Sequence, residues 1–160
     1  MTCYPALTSE KNLKKLSLTA LHMPLAVCLP LAAALAACVP APKRAYSAEE
    51  TSKLDDITEV MRVNAATMDP LFSYEEPTKF DDKSFATLPA AAAQMKATGT
   101  ALQDARIAHG FAKGFVDHAK DLAAGGDKLR VAAEKKDRAA ASAAIREIHQ
   151  TCRDCHSEFR

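Results

Sequence analysis

Tryptophan is absent from this chain of 160 residues, aromatic side chains make up 6%, and glycine occurs only 5 times. So few aromatic faces exclude a base-stacking platform for single-stranded nucleic acid. No Asn-Gly or Asp-Gly pair is present, and no run alternates apolar with polar residues, so hairpins and sheet have little support. An excess of one charge is missing too. Lys and Arg total 21 against 20 Asp and Glu, a net +1. That leaves no broad basic field for nucleic acid and no acidic tail. No constellation of general acid, base and nucleophile is recognisable, so no enzyme activity is assigned. What is plentiful is alanine, within a 48% hydrophobic and 26% charged composition. A chain of that kind can bury a core, and alanine favours helix.

Cysteine is the informative residue: Cys3, Cys28, Cys38, Cys152 and Cys155. An odd count argues against a plain disulfide framework and asks for separate roles. The first three fall in KNLKKLSLTALHMPLAVCLPLAAALAAC, which reads as an export signal with Lys11, Lys14 and Lys15 at its basic end. The apolar run from Leu16 to Ala37 is interrupted by His22, Pro24 and Pro30, which weakens a spanning helix. LAAC at Leu35–Cys38 resembles the lipobox of bacterial lipoproteins, in which the cysteine becomes the first mature residue and carries diacylglycerol. An ordinary signal peptide cut near the same alanines is the plainer alternative. The expected organisation is a lipoprotein-type signal over 1–37, a lipidated Cys38 with a flexible tether over 38–48, and a helical domain over 49–160.

That domain carries four apolar stripes at helical spacing. The first is Leu54, Ile57, Met61, Ala65, Met68 and Phe72, with Ser47 and Glu50 as a capping box at its start. The second, Phe85 to Leu102, is entered through Asp81 and Asp82. Pro89 lies inside it and implies a kink or a short separate turn. The third, Phe115 to Ala133, keeps register across Gly125-Gly126 and so reads as one helix. Gly126 on its buried side would admit a neighbouring helix or a flat ligand. The fourth is Ala141, Ile145, Ile148, Cys152, Cys155 and Phe159, with Asp137 as N-cap. Four such helices with short links make an all-α, antiparallel up-and-down four-helix bundle.

TCRDCHSEFR closes the chain. On a helix, residues i, i+3 and i+4 share a face, so Cys152, Cys155 and His156 point together. C-x-x-C-H is the attachment signature for covalent haem c. Two thiols add across the vinyl groups of one porphyrin edge and the histidine reaches the iron. A thioredoxin-like pair would need a βαβ setting, and a zinc site would need four ligands. Neither setting is visible.

CRDCHSEFR resembles the C-x-x-C-H-x-x-[FY]-R ending of class II c-type cytochromes, the cytochrome c′ family. The resemblance covers about Glu49 to Arg160 and implies a bundle with one covalent haem c on its last helix. In that family the sixth iron ligand, where present, lies on the first helix. The best-matching position is Met61, with Met68 as competitor. A ligated Met implies a low-spin carrier of single electrons. An unligated iron implies a five-coordinate protein that binds NO or CO. The family's Arg four residues before the ligand is Ile57 here, and Arg62 or Lys53 could stand in for it. Arg160 matches the Arg placed over the haem histidine, and Phe159 is expected beneath the haem. Of His109, His118 and His149, only His149 lies on the face of His156 and merits a check as an alternative ligand. The family resemblance is compatible with a homodimer and, with the export leader, implies redox partner proteins in the periplasm or cell envelope, while the LAAC resemblance implies a membrane anchor through Cys38. A haem-free helical lipoprotein acting as a binding module is the third reading.

Overall fold

The structure is a computed structural model and describes residues 41–159. The leader, Cys38 and Arg160 lie outside the described residues. The elements are α1 (Ala48–Thr51), α2 (Ile57–Met68), two 3₁₀ turns (Asp69–Glu75 and Pro77–Lys79), α3 (Asp82–Leu102), α4 (Ala105–Ala108), α5 (Gly114–Glu134) and α6 (Arg138–Phe159). The four long helices pack as a four-helix bundle, and there is no strand among the described residues.

Side-chain caps mark the starts of α1 to α4 and α6, and α5 has none. Ser47 and Glu50 do form a capping box, with Glu50 N–H donating to Ser47 Oγ at 3.2 Å, but it closes only the single turn α1. The first long helix starts instead at Asp56, whose Oδ1 accepts from Thr58 N–H at 2.9 Å. Past Met68, Pro70 lacks an N–H and fixes φ, so the chain continues as 3₁₀ turns. Asp81 caps α3 as expected, bonding Ser84 N–H at 2.7 Å. Pro89 does not split α3, which runs unbroken from Asp82 to Leu102. Proline inside a helix costs about 3 kcal/mol, and buried Phe85, Leu88, Ala92 and Met95 on either side of it offset that loss. At the α5–α6 link Lys136 takes a left-handed φ of 50°, and Asp137 Oδ1 then caps α6 through Ala140 N–H at 3.0 Å.

α3 and α5 meet backbone to backbone. A Cβ on Gly126 would stand 2.7 Å from Lys96 N and 2.8 Å from Ala92 O, and one on Gly99 would stand 2.6 Å from Ala119 O. The space beside Gly126 therefore receives a neighbouring helix, not a ligand. The second and third stripes are buried throughout. The first is not. The covered side of α2 is Glu59, Val60, Val63 and Met68, while Ile57, Met61 and Ala65 are half-buried.

Residues 43–46 lie against α2. Lys43 N–H donates to Glu59 Oε1 at 2.7 Å, and Arg62 Nη1 reaches Glu59 Oε2 at 3.2 Å. Burial pushes the Glu59 carboxyl up, but these donors and Tyr46 outweigh it and hold it below the usual range. No described helix is long and apolar enough to cross a membrane.

Candidate functional site

The buried stripe of α6 runs Ala141, Ile145, Ile148 and then continues into half-buried Cys152 and Cys155. Here α6 emerges from the core and lines a cleft with α2, α5 and the end of α3. Met61 and Asn64 come from α2, Leu102 from α3, Phe115, His118, Ala119 and Leu122 from α5, and Thr151, Cys152, Cys155 and His156 from α6. Cys152, Cys155 and His156 thus share the face that helical spacing gives them. His156 stands at the exposed rim.

Both cysteines are free thiols. Burial pushes the Cys152 thiol up; the Asn64 amide opposes this, and the neighbouring Cys155 adds to it. Burial also raises Cys155, with Glu158 adding to it. Reactive redox cysteines need the opposite, a thiol lowered by positive surroundings. Among the described residues no group of three or more His, Cys, Asp or Glu is arranged to hold a metal ion, so zinc gains no support either. The donor set fits haem c: two protonated thiols one turn apart, an adjacent imidazole and an apolar wall. The enclosed space is only about 30 Å³, roughly one water molecule, so the side chains of α2 and α6 must part to admit a porphyrin edge. A larger hollow of about 520 Å³, between α5 and the first half of α6, is lined by alanines and surface charges and has no such donors.

The other sequence-derived positions separate clearly. Met61 faces the cleft, half-buried. Met68 is 1% exposed within the core and does not line it. His149 is turned away. It stacks on Phe72 at 4.1 Å and its Nδ1 meets Glu75 Oε1, so its seven-residue offset from His156 does not bring it to the cleft. The proposed substitutes for the missing Arg are used elsewhere: Lys53 pairs with Glu49 at 2.6 Å and Arg62 with Glu59. Phe159 packs edge-on against Phe115, with centroids 5.7 Å apart, which ties the last turn of α6 to α5.

From sequence, Asn64 and Thr151 are not named among the cleft residues, and His118 is weighed as a histidine and set aside. His118 Nε2 lies 3.3 Å from Glu158 Oε2, and its ring meets Phe159 edge-on at 6.0 Å. Its place three residues after Phe115 and four before Leu122, flanking a buried stripe, was the available signal. Asn64 lies one turn beyond Met61, and its Oδ1 is buried without a hydrogen-bond partner. An unsatisfied buried acceptor costs about 1–3 kcal/mol. Three side-chain atoms share that condition among the described residues: Arg62 Nε, Asn64 Oδ1 and Thr98 Oγ1. Of those residues, only Asn64 lines the cleft.

A family model described as Cytochrome C' matches residues 51–160. No curated protein and no solved structure matches the chain.

Proposed function

The chain belongs to the cytochrome c′ family, whose members carry one covalent haem c, and on that premise we propose that it passes single electrons with Met61 as sixth iron ligand. The observation that carries this reading is the division between the methionines: Met61 lines the cleft with Cys152, Cys155 and His156, and Met68 is sealed in the core. The haem supplies one-electron iron chemistry when bound. Cys152 and Cys155 would anchor it through thioether bonds to its vinyl groups, and His156 would hold the iron through an imidazole nitrogen. Leu102, Phe115, Ala119 and Leu122, which line the same cleft, would shield the porphyrin from water. Thioether sulfur favours ferrous iron, and axial-ligand choice moves haem potentials over about 0.8 V.

Replacement of Met61 tests the reading. Met61→Ala converts a six-coordinate, low-spin spectrum into a high-spin one that shifts with CO. A variant spectrum identical to wild type would remove Met61 from the iron and favour the five-coordinate, NO- or CO-binding form.

The same proposal places the carrier in the cell envelope, anchored through Cys38. Its support is the basic end of the leader and the LAAC tetrad. One acyl chain binds a membrane marginally and two bind firmly, so a diacylglyceryl cysteine would hold the protein near membrane donors. Cys38→Ser should move the haem protein from the membrane to the soluble fraction, and an unchanged distribution would refute the anchor.

A further inference from the structure

The cleft lies at one end of the bundle. Leu102 is the last residue of α3, Phe115 the second of α5, and Met61 stands in the second turn of α2. Cys155 and His156 come from the end of α6, so α2 and α5 begin here and α3 and α6 finish here. The chain that precedes α2 is pinned at this same end. Lys43 N–H donates at 2.7 Å to Oε1 of Glu59, which belongs to the first turn of α2. Lys43 Nζ lies 3.7 Å from Asp56, the N-cap of α2.

Glu59 is buried, and a hydrogen bond to an ionised carboxylate is stronger than one between neutral groups. Arg44 also pairs with Glu50 at 2.8 Å and lies over the Tyr46 ring at 4.3 Å, although exposed contacts of this kind add little each. Further on, Gln94 Nε2 of α3 donates to the buried Thr51 Oγ1 at 2.5 Å and fastens α1 to the bundle. The strap from Lys43 to Tyr46 thus joins the folded domain and adds nothing to the reach of a tether.

This limits how far a lipid on Cys38 can stand from the haem end. Four residues, 39–42, separate Cys38 from Lys43. Fully extended, that link reaches about 18 Å, against about 40 Å if all of 38–48 were loose. α6, at 22 residues, is about 33 Å long, so the far end of the bundle is beyond the reach of the short link. We propose that the strap and the short link turn the haem end of the bundle toward the membrane and make that end a surface that rests on lipid headgroups. The orientation rests on the Cys38 anchor read above. A lipid surface is the occupant because the chain runs from the strap straight to the lipidated residue, and it brings the haem, not the far turn, next to membrane donors.

The test uses the full lipidated, haem-loaded chain on vesicles that contain a headgroup-labelled fluorescent lipid. Haem quenches such a label only at close range. Sedimentation with the vesicles reports binding, and the visible spectrum reports an intact haem site. Wild type is compared with an insertion of about twenty Gly and Ser residues between Pro42 and Lys43, a flexible spacer. Lys43→Pro removes the N–H given to Glu59 and leaves Glu59 and Arg62 in place. Wild type should quench strongly. The lengthened protein should stay bound, keep its spectrum and lose most of the quenching, and Lys43→Pro should fall between the two. Equal quenching by wild type and the lengthened protein would overturn the orientation, as would a bound wild type that does not quench. Wild-type quenching by Lys43→Pro, with the lengthened protein reduced, would overturn the role of the strap. In all of these the anchor reading stands if Cys38→Ser leaves the vesicles; a Cys38→Ser protein that still binds would overturn both.

Discussion

Met61 on α2 and Cys152 on α6 line one cleft, while Met68, two turns beyond Met61 on the same helix, is closed off in the core. One helix therefore offers two methionines to two different environments. A thioether in a packed interior is filler; one at the wall of a cleft beside a C-x-x-C-H turn is a candidate iron ligand.

That division predicts opposite phenotypes. Met68→Ala should lower unfolding free energy by about 2–5 kcal/mol, the range for deleting a fully buried large side chain, and should leave the haem spectrum unchanged. Met61→Ala should change the spectrum and cost much less stability, since the residue is half-buried. Chemical denaturation followed alongside visible absorbance checks both.

Covalent attachment should survive the loss of either thiol and fail only without both. Cys152→Ala and Cys155→Ala proteins should each retain haem through extraction with acidified organic solvent. The double variant should release it. Release from a single variant would mean that one cysteine alone carries the bond.

Packing of α3 on α5 leaves no room at Gly126. Gly126→Val would drive side-chain atoms into the Ala92–Lys96 backbone, since even a Cβ would stand 2.7 Å from Lys96 N. Stability should fall by about 3 kcal/mol, at the upper end of overpacking losses, with haem still attached. A wild-type melting curve would contradict the close approach.

Acid should unfold the domain through its caps and its buried carboxylate. Glu50 is held at about 2, first by the Ser47 backbone N–H and then by Arg44. Asp104 is held at about 2, first by the Arg106 side chain. Asp56, Glu59 and Asp81 are also lowered. Each group binds protons more weakly when folded than when unfolded. Its contribution is therefore complete above its ordinary value, 3.8 for Asp and 4.5 for Glu, and is lost as pH falls through the folded value. The melting temperature should be flat from about pH 7 to 5 and drop between about 4.5 and 2. Glu59→Gln should flatten part of that drop.

Much of this could be read in the sequence, for identifiable reasons. Stripes two and three are buried as their spacing implies, because α3 and α5 pack closely on each other, and stripe four is buried as far as Ile148 before it opens into the cleft. The C-x-x-C-H cluster needs only helical periodicity to place its side chains together. The first stripe misled at both ends. Ser47 and Asp56 are both good caps, and nothing local says which one opens the long helix. The flank of α2 that carries Met61 is half-covered because it borders the cleft, a tertiary fact. Asn64 escaped notice and His118 was set aside because single polar residues beside a stripe usually mark its solvent edge. His149 showed the reverse: a correct face assignment that still missed the cleft, because the Phe72–Glu75 turn claims it.

The most direct measurement is the visible spectrum of the purified protein, oxidised and reduced, with and without CO. A sharp reduced α-band that CO leaves unchanged is the predicted result, meaning His156 and Met61 fill both axial positions. A broad high-spin spectrum that shifts at once with CO would contradict the account and make the protein a gas binder with an open iron.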